Sequence, residues 1–103
     1  MALTNKRSIK LTASGIVTTA GKAGILLGYN LVGGTTASSA TFTDGGAGGT
    51  ELWKGTIKSQ TSIGDADQSE HFTDGGVVFT TDIYCTLAGT GAYVYVHYSE
   101  IQV

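Results

Sequence analysis

Proline is absent from this 103-residue chain, cysteine occurs once, and charged residues make up only 14% of it. Each scarcity excludes something. With Cys85 as the sole thiol, no intrachain disulfide can form. A formal charge of −2 says little about partners, and the charged fraction lies well below the roughly one quarter usual in soluble domains. Solubility must then rest on Thr, Ser and Asn, or part of the surface is covered by other subunits, which is the favoured expectation. No run approaches the roughly 20 apolar residues of a membrane-spanning helix. No apolar stretch follows Met1–Arg7 as a secretory signal requires, so the chain is expected to be made in a cytoplasm and either to stay soluble there or to leave by a route that needs no signal, such as cell lysis.

What is abundant is glycine, at 16 residues, and threonine, also at 16. Both lose freedom in a helix, glycine in its backbone and threonine about χ1, so helices have little room and the chain reads as all-β. At this length it is one domain that folds without staples. Residues 1–7 read as an N-terminal arm and residues 8–103 as a single β domain. Three of the six basic residues, Lys6, Arg7 and Lys10, fall in the first ten positions with no acid among them.

Strict alternation marks several strands. Ser8–Ala13 sets Ile9, Leu11 and Ala13 against Ser8, Lys10 and Thr12, and Ile16–Thr18 extends it past Gly15. Ala23–Val32 is apolar on both faces, as expected of a central strand covered on both sides. Ala37–Thr43 alternates again and ends in Asp44-Gly45-Gly46, whose Asp-Gly step supplies the positive φ of a tight turn. In Glu51–Lys58, Trp53 and Ile57 share one face. Ser59–Glu70 is polar and acidic and reads as a loop with room for one helical turn after Asp65. Val77–Thr80, Ile83–Leu87 and Ala92–Ser99 close the chain, with Glu100–Val103 as a tail. The pentapeptide Phe-Thr-Asp-Gly-Gly occurs at 42–46 and again at 72–76, one strand-to-turn device used twice. About eight strands with glycine turns predict an antiparallel β-sandwich or jelly roll.

The candidate chemistry is thin. Asp65, Asp67, Glu70, His71 and Asp74 form the densest polar cluster, but they lack the order of a calcium loop and read as a solvated acidic segment. Zinc would have only His71, His97 and Cys85 to draw on. Cys85 alternates with Ile83 and Leu87, which places it in the core as a small hydrophobe rather than as a nucleophile. No phosphate loop is present, and only Lys54 and Lys58 pair on a strand, so neither nucleotide nor nucleic acid is expected. No catalytic residue, cofactor or metal is assigned, and an enzyme is not expected. In the last strand Tyr93, Tyr95 and His97 share one face and Val94, Val96 and Tyr98 the other. Either the Tyr93 face is the outer one and suits a subunit interface, or both faces are core. The candidate contact residues are Lys6, Arg7, Trp53, Tyr93, Tyr95 and His97.

Four stretches, Gly24–Tyr29, Phe42–Trp53, Gly76–Leu87 and Gly89–Val96, together resemble small glycine-rich β-sandwich virion proteins of tailed bacteriophages. The acidic Ser59–His71 segment departs from that pattern. The resemblance implies a virion structural protein, made in the host cytoplasm, that acts by assembly. The expected role is a capsid decoration or cement protein that bridges capsomers, with arm 1–10 as its extended contact. Its expected partners are copies of itself, a trimer favoured, and the major capsid protein, with neither nucleic acid nor membrane involved. The alternative is a tail, collar or host-recognition component whose tyrosine face or Trp53 stacks on a glycan.

Overall fold

A computed structural model of the chain describes residues 2, 3, 6–19, 21–72 and 75–102. Ten strands follow in order: β1 (Ala2–Leu3), β2 (Arg7–Leu11), β3 (Gly15–Ile16), β4 (Gly24–Val32), β5 (Ser38–Asp44), β6 (Thr50–Ile57), β7 (Asp67–His71), β8 (Val77–Phe79), β9 (Ile83–Ala88) and β10 (Tyr93–Gln102). Among the described residues there is no helix, and so none long and apolar enough to cross a membrane.

Every strand pairing is antiparallel, and the pairings nest. β5 pairs β6, β4 pairs β7 and β8, β3 pairs β9, and β2 pairs β10, with β1 beside the end of β10. The chain is thus one long hairpin, turning at Asp44–Thr50, that has been rolled up. Rolling places β2 (with β1), β10, β4 and β7 (with β8) in one sheet and β3, β9, β5 and β6 in the other. That order, with the chain changing sheets at most connections, is the jelly-roll arrangement of the sandwich predicted above.

Alternation decides what lies between the sheets. Val94, Val96, Leu26, Tyr29 and Leu31 from the first sheet meet Phe42, Ile83 and Cys85 from the second, all at most 2% exposed. Two bulges adjust the pattern. Leu27 has no partner between the pairs His97↔Gly28 and Tyr98↔Leu26, so β4 carries one extra residue there. That extra residue is why Leu26 and Tyr29, three apart, both face the core. Leu52 is the equivalent extra residue in β6, opposite Phe42 and Thr43.

Two turns at one end are tied by reciprocal aspartates. Asp44 at the end of β5 accepts hydrogen bonds from Thr80 N (2.9 Å), Thr80 Oγ1 (2.9 Å) and Thr81 N (2.8 Å). Asp82 in turn accepts from Gly45 N (3.2 Å) and Gly46 N (3.0 Å). Burial raises the Asp44 carboxyl, but the four bonds from Thr80, Thr81 and Asp82 outweigh it and hold the group below its ordinary value. Gly45 and Gly46, at φ 99° and 80°, supply the left-handed turn, and Gly75 and Gly76 in the second pentapeptide copy adopt 81° and 88°. Thr73 and Asp74 of that copy lie outside the described residues.

Five expectations need correction. Ile16–Thr18 does not extend the first strand: Gly15–Ile16 is β3, which pairs β9 in the other sheet. The acidic segment is not a loop throughout: Asp67–His71 is β7, an edge strand formed on the backbone of β4. Glu100, Ile101 and Gln102 continue β10 instead of forming a tail. β4 is central, but only one of its faces is covered by the second sheet, and Ile25, Leu27, Asn30 and Val32 on the other are half-buried. Within the expected arm, Ala2 and Leu3 pair with Gln102 and Ile101, and Arg7 begins β2. Met1, Thr4 and Asn5 lie outside the described residues.

Candidate functional site

The outer face of the β2–β10–β4–β7 sheet collects most of the side chains singled out from the sequence. With Val94 and Val96 turned into the core, Tyr93, Tyr95 and His97 stand outward, so the tyrosine row is on the outer face. β2 pairs with this stretch so that Lys10 lies opposite Tyr95 and Ser8 opposite His97. The two tyrosine rings meet edge to face at 5.8 Å. Lys10 Nζ sits 4.6 Å from the Tyr93 ring centre and 5.7 Å from that of Tyr95, within the range of cation–π attraction. Ser8 Oγ and His97 Nδ1 are hydrogen-bonded at 2.7 Å, which pins the imidazole. Tyr95 remains 39% exposed although it is a large ring in the middle of a sheet. Val78 on β8, paired with Ile25 on the same face, is 54% exposed.

Asn30 on β4, opposite Tyr95 on β10 and Ser69 on β7, adds an unusual feature. Its side-chain oxygen is buried and has no hydrogen-bond partner among the described residues.

Trp53 is not brought to this face. It points between the sheets, its ring edge-on to Phe72 at 4.9 Å, and its Nε1 donates to the Tyr29 hydroxyl at 2.9 Å. That hydroxyl donates onward to Gln68 Oε1 at 3.2 Å, linking β6, β4 and β7 where the two sheets close. Burial raises the Tyr29 pKa, the Trp53 bond opposes the rise, and the Glu70 carboxylate adds to it. Trp53 is therefore a strut of the closing edge, and its ring is already used.

Lys6 lies at the other end of the face, whereas Arg7, opposite the core residue Tyr98, is on the inward side of β2. Arg7 pairs with the buried Glu100 at 3.6 Å. Glu100 Oε2 also accepts from Thr19 N at 2.6 Å. The Thr19 amide, then its hydroxyl and the charges of Arg7 and Lys22, hold the Glu100 carboxyl below its ordinary value against the opposing effect of burial. Sequence reasoning missed Glu100, which it placed in a tail; a lone acid after an alternating run gives no sign that the run continues.

The remaining chemistry-bearing groups do not converge. Cys85 is fully buried, and burial pushes its thiol up to about 12, so it has no thiolate with which to react. Along β7, Asp67 and His71 face outward and Glu70 inward, while Asp65 accepts from Ser62 N at 3.2 Å. Asp74 lies outside the described residues. Among the described residues no group of three or more His, Cys, Asp or Glu is placed to hold a metal ion. What the outer face can do is make contact, through tyrosine, lysine and half-buried aliphatic side chains. No protein-family model, no curated protein and no solved structure matches the chain.

Proposed function

We propose that this chain is a virion structural protein of a tailed bacteriophage, a capsid decoration or cement protein that binds the assembled shell through the outer face of the β2–β10–β4–β7 sheet. The observation that carries the contact role is the exposed Tyr93–Tyr95–Lys10 patch. Tyrosines with an apolar body and a polar tip are enriched where proteins meet, and a jelly roll supplies a rigid face at little ordering cost. The phage setting rests on the sequence resemblance; a jelly roll alone serves many functions. Self-association into a trimer belongs to the same proposal, in keeping with the low surface charge.

The test is direct. Purified chain is mixed with heads lacking it, from the phage that encodes it, and the particles are sedimented and imaged. Saturable binding on the shell, weakened at least tenfold by Tyr95→Ala, is expected. Density confined to the tail, or no co-sedimentation, overturns the reading. The exposed Tyr95 ring also suits sugar stacking, so glycan binding by a tail or collar component is the second reading. A glycan array showing Tyr95-dependent hits would favour it.

A further inference from the structure

Beyond the tyrosine patch, the same outer face contains a groove where the sheet is irregular on every side. On one flank β1 ends at Leu3 and β2 begins at Arg7 along β10. On the other, β7 ends at His71 and β8 begins at Val77, a break spanned on β4 by Leu27, whose carbonyl accepts from Phe72 N at 3.0 Å. In the centre lies the β4 bulge at Leu27 and Gly28. Bulges gather next to functional sites because they re-aim side chains and interrupt pairing. Here the three interruptions open two adjoining hollows, of about 450 and 370 Å³, which share Lys6, Leu27 and His71.

The lining is chemically one-sided. Lys6, Arg7, His71 and His97 surround the second hollow, and no carboxylate lines either hollow among the described residues. His97 and His71 flank the groove because both pair with Gly28, one from each side, and Gly28 places no side chain between them. Ser8 holds His97 through Nδ1, and its Nε2 makes no hydrogen bond among the described residues. Arg7 borders the second hollow from the inward side of β2, opposite Tyr98, and its guanidinium pairs with Glu100. The floor is apolar, from Ile25, Leu27 and Phe72. A basic rim over an apolar floor, on a chain whose overall charge is −2, selects a partner of opposite charge with apolar side chains close by.

We infer that this groove docks an extended segment of a partner protein in which carboxylates and apolar side chains lie within a few residues of each other. The carboxylates sit between Lys6, His71 and His97, and the apolar side chains sit on Leu27 and its neighbours. The inference rests on the reading of this face as the contact surface and adds the chemistry of what it contacts. A compact phosphate or a nucleic acid suits the site less, since its centre is aliphatic and among its lining residues no aromatic ring is paired with a base-stacking neighbour.

The experiment uses the full chain, ¹⁵N-labelled, titrated at low salt with acetyl-Leu-Glu-Ala-Glu-Leu-amide and with its Gln-for-Glu counterpart. The Glu peptide is expected to give saturable amide shifts at Gly28, His71, Gly75 and His97. The Gln peptide, and the Lys6→Gln/His71→Gln variant with the Glu peptide, should bind at least tenfold more weakly. A Lys54→Gln/Lys58→Gln variant, which removes the same kind of charge from the other sheet, should bind as the parent does. Equal affinity for the two peptides, shifts elsewhere, or tighter binding of an oligothymidylate overturns the inference. Peptide binding without particle binding would remove the capsid reading and leave the groove. Particle binding that is indifferent to Lys6→Gln/His71→Gln would do the reverse.

Discussion

The two outer faces of the sandwich have the same strand alternation and opposite characters. Outside β9–β5–β6 stand Thr41, Thr86, Thr56 and Ser39, small hydroxyls paired across strands as in Thr41↔Thr86 and Ser39↔Thr56, with Lys54 opposite Thr41 and the Ile16↔Tyr84 pair toward β3. Outside β2–β10–β4–β7 stand Tyr93, Tyr95, His97, Lys10, Leu27 and Ile25, with a covered, unsatisfied Asn30 oxygen among them. The threonine face meets water with short hydroxyl side chains, and its shallow hollow by Lys54 and Lys58 is about 280 Å³. The tyrosine face exposes large rings and a groove. The exposed tyrosine pair and the larger hollows are therefore concentrated on one sheet, which the glycine- and threonine-rich average of the chain conceals.

The comparison fails most completely if the shared core is lost. Phe42 is fully buried and its ring lies 5.2 Å from that of Tyr29, so Phe42→Ala should cost about 3–5 kcal/mol and unmake both faces together. Chemical denaturation followed by Trp53 fluorescence measures it, and a loss below about 1 kcal/mol would contradict the assigned core. Next in size is Tyr95→Ala, expected to weaken particle attachment by about 2 kcal/mol, the scale of an interface anchor, while the unfolding midpoint barely moves. A variant that instead unfolds early would make Tyr95 a structural residue.

Smaller, and common to both faces, is the response to acid. Asp44 and Glu100 have depressed pKa values in the folded chain, so each stabilises the fold fully above the ordinary carboxylate range and loses that contribution as pH falls through its folded value. Thermal melts should be flat from neutrality to about pH 5 and decline below about pH 4. Asp44→Asn should flatten part of that decline and lower the neutral-pH stability by about 1–2 kcal/mol, since hydrogen bonds to a charged acceptor are lost. An unchanged acid limb would show that the carboxylate bonds contribute nothing. The smallest effect belongs to the threonine face. Thr86→Ala should alter stability by no more than about 0.5 kcal/mol and leave attachment intact, and a binding defect there would reverse the assignment of faces.

How much of this was legible varies along the chain. Val94/Val96 against Tyr93/Tyr95 could be read directly, because a strand with one buried face declares itself by alternation. Cys85 was legible for the same reason. β7 was not: Asp-Gln-Ser-Glu-His has little β propensity, and it becomes a strand because β4 offers unpaired backbone groups at its edge. Trp53 was placed on the same face as Ile57, but a tryptophan in an alternating strand does not say whether its face is inside or out. The Tyr29 hydroxyl and Phe72 ring that receive it come from positions 24 and 19 residues away in sequence.

The sequence alone determined the class and most of the strands, since glycine and threonine exclude helix and period-two patterning is a local property of neighbouring residues. It determined that Tyr93, Tyr95 and His97 lie together. Only the tertiary structure decided that this face is outward, that Lys10 covers the rings, and that His71 joins His97 across Gly28. Those are matters of pairing between strands far apart in the chain, where a single bulge shifts every later register, and no local pattern records the partner.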